Sequence, residues 1–149
     1  MRPLRCAVFA VALLVATGGV ASADWQFTRW GMTPDQVARA SDGRARRIPP
    51  GDAKEWTRGD HIAVLSMPYS EGRFAFTARF LFEAGRLSVV QLALLDPSKA
   101  HALVNSIASY YGAAQRVEKA VWVDRKNRNR ISYVAIEELV SLLYSPLDD

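Results

Sequence analysis

Alternating apolar and polar residues divide the second half of the chain into short extended segments. The clearest segment is 73–83, in which four phenylalanines fall on one side and charged residues fall on the other. A spacing of two predicts a strand with one face in the core and one in solvent. Segment 86–95 is apolar on both sides, which predicts a central strand. The predicted strands are 61–69, 73–83, 86–95, 120–124, 130–136 and 139–144.

Two helix starts follow from capping chemistry. Thr33 can accept a hydrogen bond from the first turn, Pro34 needs no amide partner there, and Gln36 can bond back to the cap. This pattern predicts a short helix that ends near residues 41–43. Asp96 opens a second helix, whose apolar residues follow helical spacing as far as residue 111.

The order of elements is therefore helix, three strands, helix, three strands. This order predicts an α+β fold, with an antiparallel sheet and two helices packed on one face. The repeated order also suggests a tandem duplication of a helix-plus-three-strands unit. Residues 25–30 alternate as a short lead-in strand would, and residues 44–60 have the proline, glycine and charge content of a linker.

The N-terminus has the pattern of a signal peptide. Arg2 and Arg5 precede an uninterrupted apolar stretch, and small residues lead to a cleavage point between Ala23 and Asp24. We expect residues 1–23 to be removed and residues 24–149 to form a single domain in the periplasm or the medium. The apolar stretch is shorter than the roughly 20 residues that span a bilayer, so we expect no transmembrane segment.

Composition limits the chemistry. The only cysteine, Cys6, lies in the predicted signal peptide, which excludes a disulfide scaffold or a thiol enzyme in the mature chain. Removing Arg2 and Arg5 lowers the net charge from +4 to +2, and together with export this argues against nucleic-acid binding. His61 and His101 are the only histidines, and neither lies in a catalytic motif. We expect no enzyme activity and no cofactor.

A family resemblance begins at the first helix. Residues 30–37, WGMTPDQV, resemble the Gly-Met-Thr-x-x-Gln-Val opening of the SmpA/OmlA-type small envelope proteins. Helix-then-strands units in tandem also look like the architecture of beta-lactamase inhibitory protein. The resemblance implies an exported, non-enzymatic domain that binds another envelope or secreted protein, and it identifies no binding residue. The SmpA/OmlA type is lipid-anchored, whereas Cys6 opens the apolar stretch instead of closing it, so we expect no lipid anchor.

Two features are candidate binding sites. Arg125, Lys126, Arg128 and Arg130 form a basic hairpin tip, whose mutual repulsion favours an anionic partner, although a solvated turn has the same composition. Trp56 stands in the polar linker, where it either covers a sheet edge or anchors a partner.

Two function hypotheses follow. The first is an exported protein-interaction module of the bacterial cell envelope, which docks through a sheet face or the hairpin tip. The alternative is a carrier of a small ligand or lipid, in which the sheet and the first helix enclose a cavity. That cavity would be lined by Phe74, Phe76, Phe80 and Phe82. The sequence indicates neither the partner nor the oligomeric state.

Overall fold

The computed structural model describes residues 24–114 and 120–148. The predicted signal peptide lies outside these residues. The helices are α1 (Pro34–Ala40), α2 (Pro50–Trp56) and α3 (Ala100–Tyr111), and a 3₁₀ turn (Pro97–Lys99) precedes α3. The strands are β1 (Arg46–Arg47), β2 (Ile62–Glu71), β3 (Phe74–Glu83), β4 (Arg86–Leu94), β5 (Val121–Asp124), β6 (Asn129–Ile136) and β7 (Leu139–Pro146).

All seven strands form one antiparallel sheet in the order β1-β2-β3-β4-β7-β6-β5. The predicted α+β class is confirmed. Two three-stranded meanders, β2-β3-β4 and β5-β6-β7, meet where β4 pairs with β7 through residues 90–93 and 141–144. Strand β4 lies in the middle of the sheet, as its two apolar faces predict.

The core lies on one face of this sheet. Phe74, Phe76, Phe80 and Phe82 are all buried on that face, as predicted, and Phe80 has no exposed surface. Helices α1 and α3 pack there, because Val37 of α1 and the Leu103 and Ile107 pair of α3 join the same cluster.

The first helix begins as its sequence predicts. The Thr33 hydroxyl accepts from the backbone of Gln36, whose side chain accepts from the backbone of Thr33. The second start differs, because the Asp96 carboxylate caps the 3₁₀ turn through the backbone of Ser98. The α-helix itself begins at Ala100.

Three expectations are corrected. Residues 25–30 form a tight turn instead of a strand, with Gln26 at φ 48° and an isolated bridge between Trp25 and Thr28. The segment 44–60, expected to be a linker, contains β1 and α2. The opposite face of the sheet, expected in solvent, is partly covered, because α2 packs near β2 and Leu81 is only 1% exposed.

The turn at residues 24–30 is fixed to the far half of the chain. Asn129, at the start of β6, accepts a hydrogen bond from the Trp30 indole at 3.0 Å and donates one to the Asp24 carbonyl. Asn129 is 2% exposed, so these bonds are shielded from water. Trp25 reaches the core, where its ring centroid lies 5.7 Å from that of Phe80.

Candidate functional site

The basic hairpin tip is an ordered turn. Asp124 closes it by accepting from the Asn127 backbone at 3.1 Å and from the Asn127 side chain at 2.7 Å. Arg130 lies 3.6 Å from Asp148, and Arg128 also has an interaction within the chain. Two of the four cations of the predicted tip are therefore already engaged within the chain.

Arg125 and Lys126 are the two exposed cations that remain at the tip. Neither makes a hydrogen bond or ion pair with another residue of the described segments. The surface that the tip can offer an anionic partner is therefore smaller than the sequence suggests.

Trp56 lies far from this tip. At the end of α2 its ring covers the Arg79 guanidinium, 3.5 Å from the ring centroid, on the opposite face of the sheet from the core. Burial lowers the pKa of Arg79, and the negative charge of Glu55 partly opposes this effect. Three strand spacings separate β3 from β6, or about 14 Å. The two predicted binding features therefore do not form one site, and Trp56 covers a sheet residue.

The histidines lie apart from each other in the sequence and fold. The imidazole of His61 contacts the Ser88 hydroxyl at 2.8 Å, and that hydroxyl is directed at the Leu81 carbonyl oxygen at 3.2 Å. Both contacts are satisfied when the Nδ1 hydrogen is donated to Ser88. A nucleophilic serine needs the opposite direction of donation, so this pair has the geometry of a structural contact. His101 is exposed on α3.

A cleft opens between α3 and the core face of the sheet. Its volume is about 390 Å³, within the range of roughly 300–1,000 Å³ typical of small-molecule sites. The floor is apolar and is formed by strands β3, β4 and β7 together with the buried side of α3. The floor residues are Phe74, Phe76, Leu92, Leu103, Ile107 and Leu142.

The rim of the cleft is polar and reaches the surface. Glu71, Ser106 and Tyr110 line it and are exposed, with Tyr110 at 80%. Gly72, Tyr111 and Tyr144 complete the described lining. The cleft therefore offers an apolar surface below and hydrogen-bonding groups at its mouth.

Two tyrosine hydroxyls lie beside carboxylates, that of Tyr111 in the cleft lining and that of Tyr69 on β2 outside it. Tyr69 donates to Glu71 at 3.1 Å, and Tyr111 donates to Asp124 at 3.2 Å. Burial, and then the charge of the adjacent carboxylate, raises the pKa of Tyr69 and of Tyr111 to about 12. Burial raises the pKa of Tyr144 further, with Tyr111 and Glu71 adding to the effect. All three hydroxyls are therefore protonated at neutral pH.

Comparison with known proteins gives no relative for this arrangement. No protein-family model, curated protein or solved structure matches the chain. The function must therefore be argued from the site itself.

Within residues 24–114 and 120–148, the helices indicate no membrane span, and the grouping of His, Cys, Asp and Glu side chains indicates no metal site. No helix there is long and apolar enough to cross a membrane. No three His, Cys, Asp or Glu side chains there are grouped in a way that could hold a metal ion.

The cleft differs from the cavity that the sequence suggested. Phe74 and Phe76 line it, as expected, but Phe80 packs under Trp25 and Phe27. Phe82 does not line it either. The helix that forms the cleft is α3, not α1. Tyr144 was missed because a strand of alternating apolar residues gives no sign of which hydroxyl lies at a cleft mouth.

Proposed function

We propose that the protein is a non-catalytic binding protein, and that the α3 cleft takes up a small, largely apolar ligand. The observation that supports this proposal is the combination of an apolar floor with a polar mouth in one cleft of about 390 Å³. An apolar floor contributes binding free energy through buried area, and a few polar groups fix the orientation of the ligand. The ligand-binding hypothesis now comes before the protein-interaction hypothesis, whereas the sequence favoured the opposite order. The reason is that two of the four cations at the basic tip already interact within the chain.

The groups at the cleft favour binding over catalysis. A general base near neutral pH needs an accessible group whose pKa lies close to that pH. Tyr111, in the cleft lining, stays protonated near neutral pH, and the buried Asp124 carboxylate behind it is already engaged by Tyr111 and Asn127. A tyrosine hydroxyl of the lining can hold a ligand by a hydrogen bond without exchanging a proton with it.

The proposal includes the place of action. The signal-peptide pattern of residues 1–23 and the resemblance of residues 30–37 to envelope proteins support action in the periplasm or the medium of a bacterial cell. Fractionation of the native cells, followed by N-terminal sequencing of the protein, tests this part. A mature chain that starts at Asp24 would support it, and a cytoplasmic chain that starts at Met1 would contradict it.

The test of the cleft uses a neutral apolar fluorophore, N-phenyl-1-naphthylamine. Ser106→Phe places a ring at the mouth of the cleft, because Ser106 lines it from α3. The matched control is Ser109→Phe, which changes another exposed serine of the same helix outside the cleft lining. We expect saturable fluorescence with the unsubstituted protein and the control, and a loss of at least tenfold in affinity with Ser106→Phe. Equal binding by all three proteins would contradict the cleft as the site.

Protein docking at the hairpin tip is the second candidate function. Arg125 and Lys126 are exposed, have no ion-pair partner among the described residues, and lie on a turn that Asp124 closes by hydrogen bonds. They favour an acidic protein surface as partner. Crosslinked capture from the native envelope fraction tests it with Arg125→Ser/Lys126→Ser. The control is Arg46→Ser/Lys54→Ser, two exposed cations on other elements. A stoichiometric partner lost only with the tip variant would support docking, and its retention in both variants would exclude the tip.

A further inference from the structure

The walls of the cleft are unusually rich in aromatic rings. Five of its lining residues are aromatic: Phe74, Phe76, Tyr110, Tyr111 and Tyr144. The rings of Tyr110 and Tyr111 meet edge to face, with centroids 4.8 Å apart at an interplanar angle of 73°. Aromatic faces carry partial negative charge and attract cations that come within about 6 Å of the ring centroid. A ligand in this cleft would meet several such rings together.

The charged residue in the described lining of the cleft is acidic. Glu71 lines the mouth, and Asp124 stands behind the hydroxyl of Tyr111. None of the described lining residues is basic. The described lining therefore places one carboxylate at the mouth of the cleft, above an apolar floor.

One contact near the cleft already shows the attraction of these rings for a cation. The guanidinium of Arg73 lies over the ring of Phe74, 5.4 Å from its centroid. Arg73 is exposed and does not line the cleft. In the described part of the chain, no cation lies over the rings of Tyr110, Tyr111 or Tyr144.

We infer that the ligand is an organic cation, in which an ammonium group is attached to an apolar body. This inference rests on the proposed function and specifies the ligand class of the same cleft. The apolar body contacts the floor over Leu103 and Leu142, and the ammonium group lies among the tyrosine rings beside Glu71. Anionic ligands of the same size are disfavoured, because no lining residue within the described part of the chain supplies a positive charge.

The test compares three probes that share one shape. Phenyltrimethylammonium carries a permanent positive charge, tert-butylbenzene is its neutral carbon isostere, and benzenesulfonate supplies a negative charge. Calorimetric titration of the full mature chain is expected to give an affinity about 5- to 30-fold higher for the cation than for the neutral isostere, as expected for a cation among aromatic rings. Benzenesulfonate should bind more weakly than both.

Glu71→Gln tests the contribution of the carboxylate. Its control is Glu83→Gln, which neutralises an exposed glutamate at the end of the neighbouring strand β3, outside the cleft lining. We expect Glu71→Gln to weaken binding of phenyltrimethylammonium at least threefold and to leave tert-butylbenzene unchanged. The control should leave both affinities unchanged.

The outcomes separate the two proposals. If tert-butylbenzene binds as tightly as the cation, the inference is wrong while the cleft remains a site for apolar ligands. Equal cation affinity in the unsubstituted protein and Glu71→Gln would likewise contradict the role of the carboxylate. If no probe binds and N-phenyl-1-naphthylamine also fails to bind, the proposed function and the inference are both wrong.

Discussion

The aromatic residues of this chain have different roles, depending on whether their side chains are buried or exposed. Phe80 has no exposed surface and packs against Trp25, with ring centroids 5.7 Å apart. Tyr110, by contrast, is 80% exposed beside the cleft. The first residue contributes to folding and the second is available to a ligand, although both occur in apolar segments of the sequence.

Truncation of Phe80 should therefore be costly. Phe80→Ala is expected to lower the free energy of unfolding by about 3–5 kcal/mol, because it removes a fully buried ring from the centre of the core. Arg125→Ala, on the exposed tip, should change it by less than about 0.5 kcal/mol. Urea denaturation of both variants provides the measurement. Similar small effects would contradict the position of β3 in the sheet.

The raised pKa values of Tyr69 and Tyr111 predict a dependence of stability on alkaline pH. Folding raises the pKa of Tyr69 and Tyr111 to about 12, whereas a tyrosine in the unfolded chain ionises near about 10. Between these values the unfolded state loses protons and the folded state keeps them. The unfolded state is therefore favoured as the pH rises. The contribution of these groups is present below about pH 10 and is lost by about pH 12.

Urea midpoints across this interval check that dependence. Tyr69→Phe/Tyr111→Phe should lose stability less steeply than the unsubstituted protein as the pH rises. If stability falls equally steeply with pH in both proteins, the hydroxyls of Tyr69 and Tyr111 are not buried beside carboxylates as the fold places them.

Helices and strands could be predicted from the sequence where capping residues or the spacing of apolar residues determined them. The capping box of α1, the alternating phenylalanines of β3 and the doubly apolar β4 all follow from short sequence patterns. Helix α2 was missed because Pro49, Pro50 and Gly51 resemble a linker, and its one large apolar residue, Trp56, packs on Arg79. The position of Arg79 opposite that ring depends on tertiary packing, which no local pattern encodes. The α3 cleft was missed for the same reason.

The contact between Trp56 and Arg79 should be measurable as a coupling. In a double-mutant cycle of Trp56→Leu and Arg79→Met, we expect a coupling energy of about 0.5–2 kcal/mol in the free energy of unfolding. A second cycle, of Trp56→Leu with Arg125→Ala, should be additive within about 0.5 kcal/mol because these sites are distant. A coupling near zero in the first cycle would mean that α2 does not rest on Arg79.

At the scale of the whole molecule, the two meanders depend on each other. They share the ladder between β4 and β7, and Asn129 joins the turn at residues 24–30 to β6. Neither contact follows from the sequence pattern of either half. A tandem order of elements predicts two similar units, but it does not indicate which strands join them.

Removal of the Asn129 side chain tests that dependence. Asn129→Ala leaves the Trp30 indole and the Asp24 carbonyl without their partner, and should lower the free energy of unfolding by about 1–3 kcal/mol. Asn105→Ala is the control, because Asn105 is exposed on α3 and its side chain makes no hydrogen bond with a described residue. Equal stability of the two variants would show that the turn at residues 24–30 is not held by β6.

The bonds made by Asn129 also determine the order in which the chain can complete its core. They join residues separated by 99 and 105 positions, so they close one of the longest loops in the protein. When the chain emerges N-terminus first, Asp24 and Trp30 leave early, and Asn129 becomes available to them only after most of the sequence has followed. Contacts of such long range form slowly, and exposed aromatic residues promote aggregation during that interval. The bonds between the turn at residues 24–30 and β6 are thus among the last that the chain can form.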